Sequence, residues 1–511
     1  MAVFTNDDNK ILNFRPICVG AVCFLMGIYC AVNAFLQSDL LIIALPMLVF
    51  ALLLVLFLVF AKKKKLFCIL VVSYLAIFLL GIGAFGVKAN LAKNAKSPYI
   101  DGQFVGTVDE IKVYYDGNHE IIFRNCTLNG EEISSKTVYY ARLSEFDRAP
   151  RVGDTYYLNC EQITPLFEKF KDYLELYQGV HFSISSNEKA YFLKDDSNLF
   201  DKINRYVEDL LSSSLSEQSY PIALALLVGD TSKLGYDALE NYQMAGIAHV
   251  FAVSGLHVGT LALVLSFVAK RLKLGRVGIL IFTAIPLFIY CGVCGFSSSS
   301  VRAFIMSICI LLANVMGFKR DGLSVVAIAA LIIATYNPVC IFEKGFQLSF
   351  VAVISIIILA PVFMRGAKGG SLLKQSLSTS LAVQVGTLPI ITDMSGYISI
   401  ISLLCNIIFI PIVMVCYQFL MISCGVSLLE KLFFNSTHYS LFISDKMLTL
   451  VTEFIGLFDF KNAVVFASFG FVSLVYYLGV IVISDVINLS VKSKVIIGAV
   501  STAVTVALLV I

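Results

Sequence analysis

Three apolar runs open the chain, about Pro16–Leu36, Leu40–Ala61 and Leu66–Val87. Each approaches the roughly 20 residues that a helix needs to cross a bilayer core of about 30 Å. Four consecutive lysines, Lys62 to Lys65, stand between the second and third runs with no acidic neighbour. Cytoplasmic loops carry the excess of cations, so this loop and the N-terminus are expected inside, and the third helix is expected to end outside. Lys10 and Arg15 before the first run, with Val32-Asn33-Ala34 near its end, give it a signal-peptide flavour. Its apolar length and the two spans behind it favour a retained helix. From Lys88 to about Ser219 the pattern switches to short β-like runs at Gln103–Val113, Glu120–Asn125, Thr137–Leu143 and Thr155–Cys160. The turn signals Asp116-Gly117-Asn118 and Asn129-Gly130 lie between them. This spacing predicts a small barrel or sandwich of about 100 residues on the outer side. Between Phe200 and Leu215 an amphipathic helical pattern leads back to the membrane.

A second apolar block runs from about Pro221 to the end. Spans are expected near Ile247–Ala269, Val277–Gly295, Val301–Gly317, Leu323–Tyr336, Phe346–Phe363, Leu377–Ile391, Ala463–Ser484 and Val495–Ile511. Basic loops at Lys270 to Arg276, Lys319-Arg320 and Arg365 to Lys374 all fall on the inner side of this alternation. The tract Tyr397–Leu429, with Pro411 in its middle, is too long for one simple span and reads as a tilted helix, a broken helix or a hairpin. The expectation is a polytopic α-helical membrane protein of about 10–12 spans with an inserted extracytoplasmic all-β domain. Its segments are residues 1–87 (three transmembrane helices), 88–198 (the β domain), 199–245 (linking helices), 246–430 (the main helical block) and 431–511 (a C-terminal interfacial segment and transmembrane helices).

Composition agrees: 58% of the 511 residues are hydrophobic and 14% charged, against about 45–50% and about 25% in soluble domains. The net charge of +3 announces no polyanionic partner, and residues 88–196 hold 13 Lys and Arg against 17 Asp and Glu, a net of −4. That β region carries 17 Tyr and Phe between Tyr99 and Phe192, among them the pairs Tyr114-Tyr115, Tyr139-Tyr140 and Tyr156-Tyr157. Such pairs are able to stack bases, and are equally ordinary as core and surface packing. Eleven of the 13 cysteines sit in or beside apolar runs. The other two, Cys126 and Cys160, lie in the outer domain and are candidates for a disulfide.

Chemistry-bearing residues concentrate in Gly246-Ile247-Ala248-His249-Val250-Phe251-Ala252-Val253-Ser254-Gly255-Leu256-His257-Val258-Gly259. On one helix His249 and His257 would stand roughly 80° apart and face a common interior. Three readings are open. The histidines bind a metal, although no carboxylate or cysteine lies at ligand spacing. Ser254 is a nucleophile with a histidine, although no G-x-S-x-G elbow is present. Or glycines, serine and histidines pack a helix interface or line a polar path. A second cluster, Gly295-Phe296-Ser297-Ser298-Ser299-Ser300-Val301-Arg302, resembles an anion site at a helix start, or else a cap with a snorkelling arginine. Gln347, Ser349, Gln384 and Asn406 are further polar groups at membrane depth. No phosphate loop, catalytic carboxylate pair or metal signature is present, so no cofactor is expected.

These motifs resemble the ComEC competence family, bacterial inner-membrane proteins that import single-stranded DNA during natural transformation. The resemblance lies in Ala225-Leu226-Leu227-Val228-Gly229-Asp230, Met244 to His249, Ala252 to Gly259, Gly295-Phe296-Ser297 with Arg302-Ala303, and Asn337-Pro338 with Gly345-Phe346-Gln347-Leu348-Ser349-Phe350. In the outer domain it includes Arg151-Val152-Gly153-Asp154 and Tyr177-Gln178-Gly179-Val180. It implies an OB-like outer domain and a channel in the second block. His249, Ser254, Gly255, His257, Gly259, Ser298, Arg302, Gln347 and Gln384 then shape or line the path. It also implies single-stranded DNA, membrane lipid, a membrane DNA receptor and a cytoplasmic ATPase or helicase as partners. Many members end in a metallo-β-lactamase-like domain. No H-x-H-x-D-H motif occurs in this sequence, so nuclease activity is not assigned to it (a separate chain, loss of the activity and no need for it are the alternatives), and the protein is expected not to be an enzyme. The alternative is an intramembrane hydrolase built on Ser254, His249 and His257.

Overall fold

The computed structural model describes residues 15–35, 64–94, 101–113, 119–133, 135–165, 180–251, 253–317, 321–364, 372–399, 401–434, 439–456, 458, 464–466 and 472–484. They fall into two compact units: Arg15–Lys202 with Ala327–Glu343, and Ile203–Val326 with the described residues from Lys344 onward.

In the first unit α1 (Pro16–Phe35) packs along α2 (Lys64–Asn94). Their contact rests on a repeated sequence, Phe24-Leu25-Met26-Gly27 and Phe78-Leu79-Leu80-Gly81. A Cβ on Gly27 would land on the Phe78 carbonyl oxygen, and a Cβ on Gly81 on the Phe24 carbonyl oxygen. Small residues let membrane helices approach backbone to backbone in this way, where lipid supplies no hydrophobic driving force.

The β domain follows: β1 (Gly102–Val113), β2 (His119–Leu128), β3 (Glu131–Glu132), β4 (Lys136–Ala141), β5 (Asp154–Cys160), β6 (Gln162–Pro165), β7 (Val180–Ser185) and β8 (Tyr191–Asp195). The four short β-like runs read from the sequence are β1, β2, β4 and β5. Asn129-Gly130 forms the expected two-residue hairpin, with φ of 53° and 84° joining Leu128 to its partner Glu131. The sheet order is β6-β7-β4-β2-β1-β5-β8, all antiparallel except β4 with β7. Because β5 runs through Glu161 straight into β6, the two ends of the path β5-β1-β2-β4-β7-β6 are one bent strand, and the sheet closes on itself. Phe104, Phe123, Tyr139, Tyr156, Leu158 and Phe182 fill its interior. Of the tyrosine pairs, Tyr139 and Tyr156 belong to this core, while Tyr140 is exposed and Tyr157 half-buried. Tyr114-Tyr115 lies outside the described residues. The Arg151-Val152-Gly153-Asp154 turn is built around one carboxylate. The fully buried Asp154 accepts from Arg151 N–H (3.1 Å) and Arg148 Nη2 (2.9 Å). Arg148 in turn stacks over Phe192 at 3.8 Å.

The candidate Cys126–Cys160 disulfide is not formed; both thiols are free. Cys126 lies on β2 and Cys160 on β5, on opposite sides of β1, where Cys160 pairs with Gly102. Two strand spacings of about 4.8 Å exceed the Cα separation of about 7 Å that a disulfide spans. Cys126 Sγ instead donates to Phe123 O at 3.4 Å. Burial pushes its thiol up to about 12, and burial also raises Cys160. Neither thiol is therefore expected to react with a maleimide in the folded domain at neutral pH, with or without reductant. Both should label once denatured; a reductant-dependent difference would show the bridge.

The second unit is helical: α3 (Leu199–Ser214), which begins in the first unit, then α4 (Tyr220–Leu227), α5 (Tyr236–Met244), α6 (Gly255–Arg271), α7 (Arg276–Val293), α8 (Ser298–Val315), α9 (Gly322–Tyr336), which belongs to the first unit from Ala327 onward, α10 (Lys344–Phe363), α11 (Leu372–Ser395), α12 (Ser402–Phe434), α13 (Tyr439–Gly456) and α14 (Val472–Ile483). Six helices among the described residues are long and apolar enough to cross a membrane: α1, α7, α8, α10, Val72–Asn90 of α2 and Ser402–Ser427 of α12. The chain is thus a polytopic helical membrane protein, with six candidate spans described against the 10–12 expected. Leu40–Ala61 and Val495–Ile511 lie outside the described residues. Ile247–Ala269 is not one helix, and Ala463–Ser484 divides into a strand, Val464–Phe466, and the 12-residue α14. The long tract opens with a short strand, Tyr397–Ser399, paired with Val464–Phe466, and continues as the single helix α12, which runs through Pro411. Pro389 in α11 lacks an N–H and leaves the Val385 carbonyl without its helix partner; Tyr476 OH of α14 donates to it at 2.6 Å.

Candidate functional site

The sequence from Gly246 to Gly259 is a broken helix. After α5, Gly246 takes φ +75°, Ala248–Val250 makes one 3-10 turn, and α6 starts afresh behind Ser254. His249 and His257 therefore do not share a helix face. His249 is exposed on the 3-10 turn, whereas His257 is completely buried in the first turn of α6.

Ser254 is the N-cap of α6, and His257 completes a capping box in the place usually taken by Glu or Gln. Leu256 N–H donates to Ser254 Oγ (3.3 Å), and Ser254 N–H donates to His257 Nδ1 (3.2 Å), which also lies 3.0 Å from Ser254 Oγ. A nitrogen that accepts a backbone N–H carries the lone pair, so the neutral ring holds its proton on Nε2. The ring meets Tyr417 edge to face, with centroids 4.5 Å apart, and Tyr417 OH donates to Tyr290 OH at 3.3 Å. A serine nucleophile needs a base oriented from its far nitrogen, commonly by a carboxylate. Here His257 Nε2 has no hydrogen-bond partner among the described residues, and the Ser254 hydroxyl is held as a helix cap. The geometry favours a structural cap over a catalytic dyad. No group of three metal-ligating side chains occurs among the described residues.

The serine row opens α8 after a sharp turn in which Gly295 and Phe296 have φ of +65° and +50°. Its hydroxyls are already engaged. Ser300 Oγ donates to Ser297 O (2.8 Å), Ser298 Oγ accepts from Arg302 Nη1, and Ser299 Oγ donates to Val253 O, the residue before the α6 cap. Arg302 is only 4% exposed. A Cβ on Gly255 would stand 3.9 Å from Ala303 Cβ, so the start of α6 touches the second turn of α8. Gly229, with φ +86°, packs on Val253 from the other side, and Cys294 Sγ reaches Leu227 O at 3.8 Å. Three motifs separated by some tens of residues thus meet at one place. Two helix N-termini, each the positive end of its dipole, converge there with a buried guanidinium. Gly259 faces open space, since nothing lies within 4 Å of an added Cβ.

Other expected path residues are placed differently. Gln384 on α11 donates to Ser402 Oγ (2.6 Å), and Ser402 donates to Ser399 O (2.9 Å) while its Cβ lies 2.6 Å from where a Gly246 Cβ would be. Gln384 thereby braces the break before α6. Gln347 is half-buried in the first turn of α10. Tyr290 and Tyr417 carry no local signal in sequence. Nor does Asp445 of α13, whose Oδ1 accepts from Ser216 N–H (2.9 Å) and Oγ–H (2.7 Å) just before α4.

A family model described as Competence protein matches residues 226–485, which include both helix N-termini. The chain is similar to ComE operon protein 3 of Bacillus subtilis (strain 168), with 31% identity over 216 residues, 42% of this chain and 27% of that protein. It is also similar to an uncharacterized protein of Aquifex aeolicus (strain VF5), with 27% identity over 271 residues, 52% of this chain and 59% of that one. The matches thus cover less than two thirds of either relative. No solved structure matches the chain.

Proposed function

The chain belongs to the competence protein family, whose model matches just over half of it, and from that premise we propose that it conducts single-stranded DNA across the bacterial cytoplasmic membrane during natural transformation. The observation that carries the proposal is the convergence of the α6 and α8 N-termini beside buried Arg302. Broken helices that aim their positive ends into a membrane protein's interior suit anionic substrates, and a phosphodiester strand is a series of anions. The hydroxyls and Arg302 satisfy one another at rest and exchange those bonds for phosphate contacts as the strand passes. The closed β barrel is read as an OB-like domain on the outer face: β1 pairs with both β2 and β5, and β4 pairs parallel with β7, as in that barrel. A cytoplasmic ATPase would pull the strand and a membrane receptor would deliver it.

Ser254→Ala separates this proposal from an intramembrane hydrolase. As a cap, Ser254 contributes about 1 kcal/mol to α6. Uptake of labelled DNA should therefore persist within a few-fold of wild type, with a small loss in thermal stability. Complete loss of activity in a fully folded variant would favour the hydrolase.

A further inference from the structure

The outer wall of the barrel carries an arrangement of charges that its net charge conceals. Val108, Phe123 and Thr137 are buried on β1, β2 and β4, with Val108 paired to Phe123 and Phe123 to Thr137. Beside them Asp109, at an irregularity of β1, and Arg124 and Lys136 keep part of their side-chain surface exposed on three adjacent strands. Asp109 lies between the two cations, with Oδ2 2.5 Å from Lys136 Nζ and Oδ1 3.4 Å from Arg124 Nη1. The other guanidinium nitrogen, Nη2, lies 2.5 Å from Asp201 Oδ2 in the first turn of α3. Asp201 is fixed in place by exchange with Asn198: Asn198 N–H donates to Asp201 Oδ2 and Asp201 N–H to Asn198 Oδ1, both at 2.9 Å.

We propose that Arg124 and Lys136 form a phosphate-binding site for single-stranded DNA on the barrel wall, and that Asp109 and Asp201 occupy it until the strand displaces them. The proposal rests on the DNA-conducting role argued above and names where the outer domain first grips its substrate. An arginine fork fits carboxylate and phosphate equally well, so a carboxylate held against it is a ready stand-in. Lys136 and Asp109 keep 39% and 21% of their side-chain surface, and an ion pair this exposed holds little stability, so Asp109 exchanges easily; Asp201 keeps only 9% and is the more firmly held of the two carboxylates. A domain of net charge −4 also needs some such device to bind a polyanion without holding it too tightly for onward passage. Because Asp201 sits at the start of α3, which continues to Ser214, strand binding would release the N-terminus of the helix that leads into the second unit.

The test uses the full chain in phosphatidylcholine nanodiscs and a fluorescein-labelled single strand of about 16 nucleotides, the upper site size of one such barrel. Affinity is read by anisotropy over a range of salt. Each phosphate contact to a single strand changes the slope of log K against log salt by about 0.7, which is about fivefold in affinity at about 0.1 M salt. Asp201→Asn keeps an oxygen able to accept the Asn198 N–H. It should tighten binding by about fivefold and steepen the slope by about 0.7, and Asp109→Asn should act in the same direction. Arg124→Gln should weaken binding and flatten the slope by similar amounts. Glu188→Gln, which removes one exposed charge elsewhere on the domain, should leave both unchanged. If wild type binds and the four variants match it, or if Glu188→Gln tightens binding as much as Asp201→Asn, the site is overturned while the DNA-conducting role stands. If neither wild type nor any variant binds the strand, both are overturned.

Discussion

Gly386→Ala is expected to lower the thermal stability of the purified protein by an amount corresponding to about 1–3 kcal/mol, and Gly386→Leu to prevent its accumulation in the membrane. Gly386 lies in α11 against Ser355 of α10, in a contact where both residues are buried. An added Cβ would stand 2.6 Å from Ser355 Cβ and overlap its hydroxyl. Rotating the serine removes only the second clash, so the helices must part. α10 is one of the six candidate spans, and close approach of small residues is how helices associate where lipid supplies no hydrophobic drive. Ser355→Gly should largely rescue Gly386→Ala, because it removes the atom that is struck. Equal stability of Gly386→Ala and wild type by a thermal shift in detergent would show that the contact is not as close as described.

Gly246→Val is expected to be the more damaging change to function. The residue has φ +75°, a conformation that a β-branched residue adopts only with strain. Its Cβ would strike Ser402 Cβ at 2.6 Å, the side chain that Gln384 holds. Strain of about 1–2 kcal/mol for the left-handed backbone adds to about 1–3 kcal/mol of overpacking. Relief requires the 3-10 turn to move, and with it the cap of α6. DNA uptake should therefore fall by more than tenfold even where protein persists in the membrane. Gly246→Ala should fall between wild type and Gly246→Val. Wild-type uptake by Gly246→Val at normal protein level would detach the break in the helix from function.

Much of the β domain was legible because its physics is local. Short β-like runs marked β1, β2, β4 and β5, and Asn129-Gly130 announced a turn that demands positive φ at both positions. The strands β6, β7 and β8 carry no comparable punctuation, so barrel closure through Glu161 was not readable. At the membrane site, residue types and order were visible but their arrangement was not. Apolar continuity over Ile247–Ala269 reads as one helix, and only the backbone at Gly246 and the Ser254 cap break it. A histidine completing the capping box falls outside the usual pattern of Glu or Gln, which let His257 look like a ligand or base. The Tyr290–Tyr417 bond joins residues 127 apart, beyond the reach of any local pattern. Cys126 and Cys160 misled for the converse reason: compartment and count suggest a bridge, but pairing depends on which strands are neighbours.

The conducting role is tested most directly by labelled DNA reaching the cytoplasm of transformable cells that lack this chain and carry wild type, Ser254→Ala or Gly259→Phe at matched membrane levels. Gly259 faces open space one turn into α6, so a phenyl ring there is accommodated by the fold and, on the proposed path, would obstruct the strand. Wild type and Ser254→Ala should restore uptake, and Gly259→Phe should not. Uptake that survives loss of the chain, or that tolerates Gly259→Phe while vanishing with Ser254→Ala, would contradict it.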